Sequence, residues 1–191
     1  MITLNGAQVF DATGKMLSSA PISDQLAAKL MHFLKQRKLY FEVVTSHGIF
    51  SDNRAKRIEN FAELLTHLNP ETPFKLAVSF AAARMELMNI NYTDDYFQLV
   101  ADPHLSIYKI VAFNDDGSKV LGPIKDQVKK IASLVVTSSA ETNIEINHIN
   151  AQKGIALQQY ADLLNVPMDN VMAIGDNNND LSMLQAAGVS Y

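Results

Sequence analysis

Hydrophobic and polar residues along this chain recur with two periods, and the switches between them mark out its elements. Helical spacing appears first after Pro21-Ile22-Ser23-Asp24, where Leu26, Leu30, Phe33 and Leu34 share one face and Ser23 is placed as an N-cap. A second helix is predicted over Arg54–Leu68, with Ile58, Phe61, Leu64, Leu65 and Leu68 on one side and Asn69-Pro70 as its stop. Ala81-Ala82-Ala83 favours helix over Phe74–Met88. Val120–Ile131 reads as helix with Pro123 as a local difficulty, and Lys153–Leu164 as an amphipathic helix. The last helix is expected over Asn179–Ala187, closed by Gly188.

Period-two or β-branched runs predict strands at Tyr40–Thr45, Tyr108–Phe113, Leu134–Thr137 and Asn143–Asn147. Gln8-Val9-Phe10 and Lys15-Met16-Leu17 read as a hairpin around Asp11–Gly14, with further turns at Asn5-Gly6, Ser46-His47-Gly48 and Asn114–Gly117. Val171-Met172-Ala173-Ile174 is apolar throughout, the pattern of a strand covered on both faces. The final forty residues thus read helix, buried strand, polar loop, helix: an α/β unit of doubly wound type. The middle of the chain reads as α+β, so two parts are expected, a terminal α/β piece and a large inserted α+β region.

Composition narrows the chemistry. The 191 residues include no cysteine, which excludes disulfides, thiol catalysis and cysteine-ligated metals. The net charge of −4 argues against a nucleic-acid binder acting through a broad basic field. No apolar run approaches the roughly 18 residues that span a bilayer. The first residues lack the basic and apolar regions of a signal peptide, so a cytoplasmic protein is the expectation. The five histidines, His32, His47, His67, His104 and His148, show no metal-ligand spacing.

The sharpest chemical signal is Ile174-Gly175-Asp176-Asn177-Asn178-Asn179-Asp180. An apolar strand ends in Gly, and a polar loop with two carboxylates leads into a helix. Ligands of open α/β sheets bind at such strand ends. Carboxylates and amides there suit a hard cation such as Mg²⁺, and a helix start favours an anion. The plainer alternative makes Asp176 a turn residue and Asn179 or Asp180 an N-cap. An EF-hand reading fails, because Leu181 and Ala187 stand where Gly and the bidentate Glu are required. Lys153, in Gln152-Lys153-Gly154, opens a helix against its dipole, which suggests a paired anion; the alternative is a solvated lysine. Asn114-Asp115-Asp116-Gly117-Ser118 imitates a phosphatase nucleophile motif, but its first position is an amide, and it reads as a turn.

Lys153-Gly154, the Val171–Leu184 stretch and Ala187-Gly188, together with the opening Ile2-Thr3-Leu4-Asn5-Gly6-Ala7, resemble the Cof-like branch of the haloacid dehalogenase superfamily. The resemblance implies a Rossmann-like core carrying a large inserted α+β cap domain, here with 1–7 and 150–191 as a partial core and 8–149 as the cap. It implies a Mg²⁺-dependent phosphatase of small phosphorylated metabolites that works through an aspartyl-phosphate. By the same resemblance Lys153 steadies phosphate charge and Asp176 binds the metal. Asp180 either ligates the metal or orients its neighbours, Asn179 stands beside it, and Asn5 faces the substrate at the core–cap junction.

The leading Asp-x-Asp motif of that family is not present in these residues, nor is the Ser/Thr motif that follows it. The expectation is an incomplete core, negligible phosphatase activity for this polypeptide alone, and a core piece that is either poorly protected or completed by another chain. Two other readings stay open: a non-catalytic module in which the cap domain binds a ligand or partner, and a phosphomutase-like or phosphosugar-specific relative.

Overall fold

The computed structural model describes residues 1–191. Its N-terminal segment forms β1 (Ile2–Thr3), a 3-10 turn over Leu4–Gly6, and the hairpin β2 (Gln8–Phe10) and β3 (Met16–Ser19), joined as one antiparallel sheet in the order β1-β2-β3. Next come α1 (Asp24–Gln36), β4 (Tyr40–Thr45), β5 (Gly48–Ser51), α2 (Arg54–Leu68), α3 (Phe74–Leu87), β6 (Ile90–Tyr92) and α4 (Phe97–Ala101). After them follow β7 (Ile107–Phe113), α5 (Ser118–Val128), β8 (Leu134–Thr137) and β9 (Asn143–His148). The chain closes with α6 (Lys153–Leu163), β10 (Met172–Ala173), a 3-10 turn over Asn178–Asp180, α7 (Leu181–Ala186) and β11 (Val189–Ser190).

The main sheet has six strands in the order β6-β5-β4-β7-β9-β8, antiparallel except for the parallel β5–β6 pair. Its register separates two faces, because successive side chains of a strand point to opposite sides. Val43 lies opposite Ile110, and Ile110 opposite Ile146. These residues join Leu30 and Leu34 of α1 and Leu121, Ile124 and Val128 of α5 in one apolar core. Each such fully buried side chain contributes about 1.5–3 kcal/mol. Tyr96 closes one end of this core: its ring stacks on Phe41 and its hydroxyl donates to the Phe41 carbonyl at 2.6 Å.

The opposite face carries Glu42, Lys109, Glu145 and Asn147, all buried. The α2–α3 hairpin stands beside that face, its helices meeting through Ala62, Ala77 and Ala81, whose small side chains allow close approach. Arg57 of α2 pairs with Glu42 of β4 and ties the hairpin to the sheet.

The predicted helices and most strands form where the hydrophobic pattern put them, and α5 runs through Pro123 to Val128. Five short elements were not foreseen: β1, β5, β6, α4 and β11. Each is two to five residues long and depends on a neighbouring element that local pattern does not reveal. Ser23 occupies the N-cap of α1, but its side chain makes no capping bond.

Two expectations are corrected. The strand at 171–174 is not covered on both faces: Ala173 is buried, whereas Met172 and Ile174 are 62% and 67% exposed. β10 pairs only with the parallel β11, so its other edge has no strand partner. Gly188 does not close the last helix in a left-handed conformation; α7 ends at Ala186, and the C-cap Ala187 donates its N–H to the Met183 carbonyl. No helix is long and apolar enough to cross a membrane.

Candidate functional site

Three segments distant in sequence meet at the start of α6. The first is the Leu4–Gly6 turn, where Asn5 adopts a left-handed backbone (φ 59°), a conformation that Asn tolerates better than most residues. Its neighbour Gly6 lies so close to Gln152 that a Cβ there would collide with the Gln152 carbonyl. The second segment is Gln152-Lys153-Gly154, the first turn of α6. The third is the Gly175–Ser182 loop, bound to the second by the Gly154 N–H donating to Ser182 Oγ at 3.0 Å. Gly175 is needed because Asp180 fills the space a side chain would occupy.

At this meeting point the Lys153 ammonium forms an ion pair with Asp180 Oδ1 and reaches Asn179 Oδ1 at 3.5 Å. The other carboxylate oxygen of Asp180 accepts from the Asn177 N–H at 3.2 Å. Asp180 stands at the N-cap of α7, one of the two positions the plainer reading named, though its side chain makes no capping bond there; it is the reciprocal partner in a capping box of Asn177, the N-cap of the 3-10 turn before it. The Lys153 hydrogen bond, together with the Asn177 N–H, holds the Asp180 carboxyl below the usual carboxylate range against the opposing effect of burial. This pairing explains a lysine in the first turn of a helix, where the dipole alone disfavours it.

The two members of the pair differ in freedom. The Asp180 side chain is only 8% exposed and both its oxygens are engaged. That of Lys153 is 29% exposed, and an ammonium has three donors. Asp176 is exposed, and its carboxylate makes no hydrogen bond. The three segments hold no carboxylate besides these two, and no cluster of three His, Cys, Asp or Glu side chains forms. The donor set is oxygen only, from carboxylate and amide groups. It fits a cation that takes one or two carboxylates and keeps its waters, as Mg²⁺ does.

Asn5 is drawn elsewhere. Its amide donates to Glu145 Oε2 at 2.6 Å, on the polar face of the main sheet. Lys109 Nζ meets the same oxygen at 3.0 Å, and Ser139 Oγ donates to Oε1 at 3.0 Å. Burial alone would raise the Glu145 carboxyl, but the Lys109 charge and these donors outweigh it and hold the group low. The sequence reading missed Lys109 and Glu145. A signal was present in the alternation Asn143-Ile144-Glu145-Ile146-Asn147, which promises a polar strand face. Asn114 is a turn residue as expected, its side chain accepting from the Asp116 N–H at 3.0 Å.

The model of the haloacid dehalogenase-like hydrolases matches residues 1–191. The chain belongs to this family. Among its curated relatives is the phosphatase YwpJ of Bacillus subtilis, 28% identical over 98% of this chain and 66% of the relative. Another is the 5-amino-6-(5-phospho-D-ribitylamino)uracil phosphatase YwtE of the same organism, 32% identical over 98% of this chain and 65% of the relative. This haloacid dehalogenase-like chain therefore spans just under two thirds of the length of either protein. A solved haloacid dehalogenase-like hydrolase from B. subtilis superposes with a TM-score of 0.86 at 27% identity, over 99% of this chain and 67% of that one. The α/β fold of the family is thereby shown.

Proposed function

We propose that this chain carries the phosphate-anchoring and metal-binding side of a Mg²⁺-dependent phosphatase site for small phosphorylated metabolites. The observation that carries the reading is the convergence at α6: a partly exposed ammonium, oriented by a buried carboxylate, beside an exposed carboxylate on the same loop. Residues 1–7 and 150–191 act as the core part and 8–149 as the cap domain, with the β2–β3 hairpin spanning the junction.

In this reading Asp176 holds the metal. Asp180 keeps Lys153 pointed at the site, since both of its oxygens are already engaged. Asn179 offers its amide to a phosphoryl oxygen. Asn5 orients Glu145 and Lys109 at the junction, where the substrate lies between the two parts. A bound Mg²⁺ would supply polarisation of a phosphoryl oxygen. Lys153 contributes charge neutralisation and orientation. Neither acid in the three segments is placed as a nucleophile: Asp180 is paired, and Asp176 is the proposed metal ligand. The covalent step is thus assigned to a carboxylate outside these segments, and the chain alone has negligible activity.

The exposed Met172 and Ile174, on a strand with one partner, support pairing of that edge with a further strand. The acidic balance supports a protein that does not act on nucleic acid, and a cytoplasmic setting is the simplest for a small phosphorylated metabolite.

The test is Mg²⁺-dependent binding of vanadate or inorganic phosphate, followed at the amides of residues 175–182. Saturable binding lost in Asp176→Ala and weakened in Lys153→Ala supports the site; a loop that stays empty overturns it. Robust turnover of p-nitrophenyl phosphate by the pure chain, abolished by Asp176→Ala, overturns the claim of negligible activity.

A further inference from the structure

Helix α3 is apolar on two sides. On one, Ala77, Val78, Ala81 and Met85 face inward, the first three against α2. The other carries Leu76, Phe80, Ala83 and Leu87, all exposed, with Phe80 56% and Leu87 89% open to solvent. At about 100° of turn per residue these four fall in a strip about 60° wide, roughly 140° round the helix from the buried side. Single exposed apolar side chains are ordinary, but a contiguous stripe of them marks an interaction surface.

The spacing and the order of residue sizes identify what covers the stripe. Steps of four, three and four residues make the seam of two helices packed side by side at a shallow angle. Residues 76 and 87, and residues 80 and 83, are centred on the same point, between Ala81 and Ala82. Two copies of α3 laid antiparallel about a two-fold axis through that point set Leu76 against Leu87 of the second copy, and Phe80 against Ala83 of the second copy. Large meets small in the middle and leucine meets leucine at both ends. A two-fold interface requires such self-complementarity, whereas an unlike partner does not. No charged residue falls within the strip, and the charges beside it are engaged in their own chain: Arg84 lies over the Phe61 ring at 5.1 Å, and Glu86 pairs with Arg54.

We infer that α3 is a self-association surface through which two copies of this chain pair as antiparallel helices. The stripe is on the order of the 300–600 Å² of the largest patch on a typical monomer. That is short of the ~800 Å² per partner of a stable complex, so the dimer is a weak one that dissociates on dilution. The inference stands independently of the phosphate reading, since α3 contributes nothing to the three segments that meet at α6.

Sedimentation equilibrium of the full chain across a range of concentrations tests it. A reversible monomer–dimer equilibrium is expected. Phe80→Glu and Leu87→Glu each put a charge on the seam at an exposed position, and each should weaken dimerisation at least tenfold with an unchanged circular dichroism spectrum. The absence of cysteine allows a test of register that also decides if a glutamate variant does not fold. Leu76→Cys and Leu87→Cys chains, mixed and treated with an oxidant, should form a disulfide-linked heterodimer, and either variant alone should form far less. In the antiparallel pair the two copies of position 76 lie about 16 Å apart along the axis, beyond the reach of a disulfide. A chain that stays monomeric up to about 1 mM overturns the proposal. So does a dimer undiminished in folded Phe80→Glu, which would place the contact elsewhere, as at the β10 edge. Cross-linking of Leu76→Cys with itself as readily as with Leu87→Cys overturns the antiparallel pair. The readout needs neither Mg²⁺ nor phosphate, so failure here is distinct from failure of the Lys153 site.

Discussion

The molecule contains two lysine–carboxylate pairs in contrasting settings, one enclosed and one with a partly exposed lysine. Lys109–Glu145 sits in the middle of the main sheet, with both side chains about nine-tenths buried, and Glu145 also takes hydrogen bonds from Asn5 and Ser139. Lys153–Asp180 joins a helix start to a loop, and its lysine keeps contact with solvent. The first pair is enclosed in a network that fixes the sheet against the N-terminal turn. The second leaves one of the three ammonium donors unused on a partly exposed lysine, with an exposed carboxylate on the same loop. A buried ion pair is therefore not by itself a sign of chemistry; what distinguishes the reactive candidate is unused valence on a partly exposed partner.

The largest effect is expected from separating the enclosed pair. Lys109→Met should destabilise the fold by about 3–5 kcal/mol in urea denaturation, because it strands Glu145 in a buried site. The double variant Lys109→Met with Glu145→Met should recover most of that loss. A single variant within 1 kcal/mol of wild type, on the order of an exposed pair, would show the network to be effectively solvated and remove the contrast.

Lys153→Ala should cost less, about 1–3 kcal/mol, since solvent reaches Lys153 and backbone donors still serve Asp180. Asp176→Ala should leave stability within about 0.5 kcal/mol, as an exposed residue without partners does. The same two substitutions should weaken Mg²⁺-dependent phosphate binding, which separates structural from ligand roles.

Acid titration sharpens the comparison by sign. The carboxyls of Asp180 and Glu145 are held low in the folded chain. Their stabilisation is therefore present above their unfolded pKa and lost as pH falls through the folded value. Asp180→Asn should remove part of that acid sensitivity. Glu63 behaves oppositely: raised from 4.5 to about 7 by burial and the nearby Asp115, its contribution is full below 4.5 and lost as pH rises through 7. Glu63→Gln should flatten the stability profile between those values; an unchanged profile would show that Glu63 titrates normally.

The smallest effect in energy concerns dynamics. Amides of β7, inside the six-stranded sheet, should exchange slowly, and those of residues 171–174 much faster. Full protection of 171–174 in dilute monomer would contradict the open edge assigned to β10.

Much of this was legible in the residues. Periodicity placed α1 and α2 and the strands β4, β7, β8 and β9, because each has enough apolar positions on one face to declare its period; α3 was placed by the helix propensity of Ala81-Ala82-Ala83, and α6, read as amphipathic, forms where expected but without a sharply divided apolar face. The loop after β10 announced its carboxylates, and Lys153 announced a missing anion. The identity of that anion was another matter: it proved to be Asp180, twenty-seven positions away, brought close because Gly175 leaves room for it. Asn5 was legible as a turn residue, but its bond to Glu145, 140 positions distant, was not.

The sequence by itself determined the local periods, the turns and the chemical inventory, since these depend on residues a few positions apart. Tertiary structure decided which acid met which lysine, that Met172 and Ile174 face outward, and that Leu76, Phe80 and Leu87 of α3 stay uncovered. Those outcomes depend on sheet order and close backbone approach, and chain neighbours do not encode either.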